Sequence, residues 1–151
     1  MEKSVVKATL NRLIETCKDG QEGFRTASED IEDTSLKTLF SSFAQQRAEF
    51  AGELQDALVN IGEAKPEDKS SYTGALHRSW INLKQALASR ERQSILKECE
   101  RGENAAVNEY ENALDEDLPA PVKVVVESQH REVKVARDRI KELREIAEAA
   151  E

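Results

Sequence analysis

Arg47 is the residue with the most chemical consequence in this chain. It interrupts a helical stripe of Leu36, Phe40, Phe43, Phe50, Leu54, Ala57 and Ile61, at a place where the repeat calls for an apolar side chain. A cation in the middle of a helix bundle must meet a carboxylate or stay out of the core. Glu103 stands at the corresponding place in a later stripe, and Gln129 and Tyr110 are the other polar members of apolar rows. These four residues read as a buried polar layer, with an Arg47–Glu103 ion pair and with Gln129 or His130 completing the hydrogen bonds. Glu103, Glu127 and His130 also allow a different chemistry. Two carboxylates and an imidazole are ligands for iron, manganese or zinc, and Glu127 and His130 have the Glu-x-x-His spacing that puts both on one helix face. His77, Arg78 and Trp80 form a third group, which anchors a short helix or lines a ligand pocket. Cys17 and Cys99 fall on core stripes without CxxC spacing and read as small buried hydrophobes in a reducing compartment.

The elements that must position these residues are helical. The first helix spans about 4–33, with Val6, Leu10, Leu13, Cys17, Gly20, Phe24, Ala27 and Ile31 on one face. Gly20 and Gly23 lie mid-helix, where each costs about 1 kcal/mol against alanine, so a close neighbour is expected over them. Glu15, Glu22 and Glu29 fall opposite the stripe and read as solvated. Asp33-Thr34-Ser35 is a short turn, with Thr34 or Ser35 as N-cap of a second helix over 35–61. A turn there makes an antiparallel hairpin and sets Arg47 level with Gly20 and Gln21. Gly62 ends that helix, and the polar, Pro66-containing segment after it reads as a loop. A short helix is predicted over 75–88 and a longer one over 90–114, with Ser89 as its N-cap. Leu118-Pro119-Ala120-Pro121 precedes the last helix, over 120–149. A second hairpin turning near Asp117 would set Glu103 level with 129–131.

Two short-linked hairpins joined by a long segment over 63–89 give an all-α, single-domain four-helix bundle over 1–151. Helical and extended residues rise about 1.5 and 3.3 Å each, so the connection can cross the full bundle. One long crossover is the ferritin-like arrangement. A ferritin-type di-metal centre needs inward carboxylates from two helices and Glu-x-x-His from the other two. Here one such motif occurs, the first helix offers no inward carboxylate, and the second places Glu49 and Glu53 off its stripe centre around Arg47. No cofactor is expected on the polar-layer reading.

Charged residues make up 34% of the 151 residues and the formal net charge is −8. That balance speaks against a nucleic-acid surface. No stretch approaches the roughly 20 apolar residues of a membrane span. The first residues lack the apolar segment of a signal peptide, so a cytoplasmic location is expected. No phosphate-binding glycine loop or nucleophilic triad is present.

Several strings together resemble a known family: Leu10-Asn11-x-Leu13-Ile14-Glu15, Asp19-Gly20-x-x-Gly23-Phe24, Arg47-Ala48-x-Phe50-Ala51-x-Glu53-Leu54, Gly74-Ala75-Leu76-His77-Arg78-x-Trp80, and Glu98-Cys99-Glu100-Arg101-Gly102-Glu103, followed by Tyr110 and Leu118-Pro119. The chain resembles a bacterial family of ferritin-like four-helix-bundle domains of unknown function. The resemblance implies a ferritin-like fold and no established activity. One departure is Arg137-Asp138, where family members carry His-Asp late in the last helix. The expected role is that of a non-enzymatic structural or interaction protein, stress- or envelope-associated, as a homo-oligomer or with a protein partner. The alternative is a metal-binding relative using Glu103, Glu127 and His130. A third option is a ligand-binding bundle around Trp80 and His77.

Overall fold

The computed structural model describes residues 3–62 and 78–150. Helix α1 spans Lys3–Asp30, α2 Thr34–Asn60, α3 Leu83–Ser89, α4 Arg92–Leu114 and α5 Ala120–Ala149, and a 3-10 turn covers Arg78–Trp80. No strand occurs among the described residues. The fold is all-α, and its four long helices form a bundle.

Each long helix exists because one face can be buried. The α1 stripe, Val6 to Ile31, is buried along its whole length, as is the α5 stripe from Val122 to Ile140. The turn between α1 and α2 comes earlier than the sequence suggests, over residues 31–33. Helix α1 stops at Asp30, and Asp33 caps α2, accepting from the Leu36 backbone N–H at 3.0 Å and from the Ser35 hydroxyl at 2.7 Å. A carboxylate at an N-cap serves better than the Thr34 or Ser35 hydroxyl expected there, because it also meets the positive helix terminus. Gly62, at φ +95°, closes α2 in the left-handed region.

Helices α1 and α2, α4 and α5, α1 and α4, and α2 and α5 pack as neighbours, which leaves α2 and α4 facing each other across the diagonal. The core residues show the directions. One apolar cluster takes Val6 to Cys17, Phe50 to Leu58, Ala106 to Ala113 and Val122 to Val133. The other takes Phe24 to Ile31, Leu36 to Ala44, Ile95 to Cys99 and Ile140. Helices α1 and α5 therefore run from the first cluster to the second, and α2 and α4 run back. Every neighbouring pair is antiparallel, and the connection from α2 to α4 spans the bundle.

The described part of that connection differs from the single helix expected over 75–88. The 3-10 turn at Arg78–Trp80 is separated from α3 by Ile81 and Asn82, and 75–77 lie outside the described residues. Helix α3 packs on α4 and α1. It ends at Arg90, whose φ of 59° reverses the chain, and α4 starts after Glu91. Ser89 is not the N-cap of α4; its hydroxyl accepts from the Glu91 N–H at 3.3 Å inside the turn.

Candidate polar waist of the bundle

Between the two apolar clusters, two of the long helices contribute a charged residue to the core. Helix α2 brings Arg47 and α4 brings Glu103, 1% and 0% exposed. Their side chains span the diagonal and form a bidentate pair: Nη1 donates to Oε1 at 2.5 Å and Nη2 to Oε2 at 2.6 Å. Arg47 Nε donates to Gln46 Oε1 at 3.3 Å, and the guanidinium carbon lies 5.6 Å from the Phe24 ring centroid. Burial pulls the guanidinium's affinity for its proton down. The charge and hydrogen bonds of Glu103 outweigh that and leave the pKa above its ordinary value.

Helix α1 makes room. A Cβ added to Gly20 would sit 3.2 Å from Arg47 Nη1. A large side chain there would displace the guanidinium.

Trp80 closes the α1–α4 side. It is 2% exposed and meets Phe24 edge-on, with ring centroids 5.0 Å apart at 72°. Its indole lies in a slot between Gly23 and Gly102. A Cβ on Gly23 would come within 2.5 Å of the ring, and one on Gly102 would overlap it further. His77, expected beside Trp80, lies outside the described residues, as does the side chain of Arg78.

A second polar set lies farther into the first apolar cluster. Tyr110 Oη donates to Gln129 Oε1 at 2.7 Å, and Gln129 Nε2 donates to Phe50 O at 3.2 Å and to Glu53 Oε1 at 2.8 Å. Cys17 Sγ lies 3.1 Å from Tyr110 Oη. The one phenolic proton already goes to Gln129, so the thiol donates to tyrosine. Burial pushes the Cys17 thiol up to about 11 and raises the Tyr110 hydroxyl well above its usual value, so both keep their protons at neutral pH. Gln129 thus belongs to a layer of its own, because its amide N–H groups are spent on α2. Sequence reasoning missed Cys17 and Glu53 here. The coincidence of Cys17 with Tyr110 follows from the α1–α4 register, which no local pattern reveals.

The expected register of the second hairpin is corrected. Glu103 does not face 129–131: Asn104 meets Arg137, and His130 meets Glu111. The last α4 turn continues past Leu114, with Asp115 N–H bonded to Glu111 O and Glu116 N–H to Ala113 O. The chain reverses nearer Pro119, and each residue of delay moves the facing partner by two. The candidate metal ligands are accordingly not gathered. His130 Nε2 is buried without a well-formed hydrogen bond, 3.5 Å from Glu111 Oε2. Glu111 is eight residues beyond Glu103, about 12 Å along α4. Glu127 is half-buried one turn before His130. Among the described residues no three or more His, Cys, Asp or Glu side chains are placed to hold a metal ion.

A family described as a domain of unknown function (DUF2383) matches residues 5–116. The chain belongs to that family. The DUF2383 match takes in Arg47, Glu103, the glycines around Trp80, and Tyr110, and it ends before Gln129 and the rest of α5. A comparison with curated proteins found no match. Among the described residues no helix is long and apolar enough to cross a membrane.

Proposed function

We propose that this DUF2383 protein is a ferritin-like bundle whose waist is closed by a guanidinium–carboxylate pair in place of a di-metal centre, and that it works as a structural or interaction protein, not as an enzyme. The observation that carries this is the buried Arg47–Glu103 pair on the bundle diagonal. Both Glu103 oxygens are committed to N–H donors, and a fixed positive charge stands where a cation would have to enter. The antiparallel hairpins with α2 and α4 parallel across the diagonal support the ferritin-like topology.

Metal analysis of protein purified without chelator, by native mass spectrometry, tests the reading. The expected result is the mass of the polypeptide without stoichiometric iron, manganese or zinc. A retained metal lost on Glu103→Ala or His130→Ala substitution would overturn it in favour of a metal-binding protein.

A further inference from the structure

Four helical glycines lie inside the long helices, and three have an occupant. Gly20 lies beneath Arg47, and Gly23 and Gly102 flank Trp80. Gly52, about two turns before the end of α2, has nothing among the described residues within 4 Å of where its Cβ would be. A glycine there weakens the helix, and nothing among the described residues repays it.

Gly52 opens onto the groove between α2 and α5. The described crossover elements pack on α1 and α4, so they close the opposite side of the bundle. The α2–α5 groove has two parts. One, of about 750 Å³, is lined by Gly52, Glu49, Glu53, Asp56 and Glu132, with no Lys or Arg among the described residues that line it. The other, of about 560 Å³, continues to the end of the bundle over Ala57, Ile61, Pro121, Val122, Val124 and Val125. Val124 is 65% exposed and the adjoining Val59 53%.

We propose that the α2–α5 groove is a docking surface for a basic amphipathic helix of a protein partner. Its apolar side chains would lie over Val124, Val125 and Pro121, its Lys or Arg side chains would meet Glu49, Asp56 and Glu132, and its backbone would approach α2 over Gly52. The charge decides against a second copy docking face to face, which would set these carboxylates against each other. This inference rests on the interaction reading above, and names its surface and partner class.

The test uses the full chain with two labelled synthetic helical 18-residue peptides, one of Leu and Lys and one of Leu and Glu, read by fluorescence anisotropy. The Leu/Lys peptide should bind and the Leu/Glu peptide should not. Gly52→Gln is neutral and enters open space, so it should keep the fold, checked by its thermal melt, while weakening binding at least tenfold. Glu49→Gln with Asp56→Asn should weaken it similarly. Glu116→Gln with Glu145→Gln, the same charge change elsewhere, should change it less than twofold. Equal loss in both charge variants, or none with Gly52→Gln, overturns the surface as nonspecific attraction and leaves the interaction reading standing. No binding of the Leu/Lys peptide, or dimerisation abolished by Gly52→Gln in sedimentation, overturns the partner class. Stoichiometric metal would instead remove the reading beneath it.

Discussion

Arg47 and Glu103 show how a buried charge is tolerated and what it costs to disturb it. Each guanidinium Nη faces one carboxylate oxygen, and both side chains are buried. Arg47→Met should leave Glu103 as an uncompensated buried carboxylate and cost about 3–5 kcal/mol. The double variant Arg47→Met, Glu103→Leu should recover most of that loss, because an apolar pair of similar volume needs no charge compensation. Chemical denaturation of the two single variants and the double measures the coupling. If the single and double variants lose equal stability, the pair is not the partner interaction described. The pairing of these two residues was legible in the sequence, because each interrupts an apolar stripe near the middle of its helix. The separate Cys17–Tyr110–Gln129–Glu53 set was not. Its members lie on four helices, and their meeting depends on registers that a shift of a few residues in a turn rewrites.

At the scale of elements, the glycines divide by what lies over them. Alanine is a better helix residue than glycine by about 1 kcal/mol, so Gly52→Ala should stabilise the protein by up to about that amount. Gly23→Ala and Gly102→Ala should go the other way, since each added methyl overlaps the Trp80 ring and the indole must leave its slot or push the helices apart. Trp80 is the only tryptophan, so its emission reports the outcome directly. A red shift together with lower stability is expected for both slot variants, and no spectral change for Gly52→Ala. Unchanged emission in Gly102→Ala would mean that Trp80 does not occupy the slot. The four long helices were readable from their stripes, to within a few residues at their ends. The broken element around Trp80 was not: Trp80, Leu83 and Leu87 keep helical spacing even though the backbone is interrupted at Ile81 and Asn82. Apolar spacing reports which residues face the core, and a 3-10 turn followed by a short helix can satisfy the same spacing as one continuous helix.

In the whole molecule, two apolar clusters are joined through a charged waist, and the surface carries a net −8. Two aspartates give the pH response opposing contributions. The Leu36 N–H, then the Ser35 hydroxyl and Arg92, hold the Asp33 carboxyl at about 2. An unfolded aspartate titrates near about 3.9, so the unfolded chain takes up this proton first. Its stabilisation is therefore complete above about pH 4 and is lost as pH falls through 2. Asp19 lies buried beside the waist, and burial, with the nearby Glu15 charge, lifts its carboxyl to about 7. Here the folded state takes up the proton first, so the contribution is complete below about pH 4 and drains away as pH rises from 4 to 7. Thermal melts across pH separate the two. Asp33→Ala should lower stability by about 1 kcal/mol at pH 7, from loss of the cap, and by less at pH 2. Asp19→Asn should raise the melting temperature at pH 8 relative to the parent and change it much less at pH 4. An equal shift at both pH values would show that the Asp19 carboxyl does not titrate in this interval, and the fall in stability between pH 4 and 7 would then have to come from other groups.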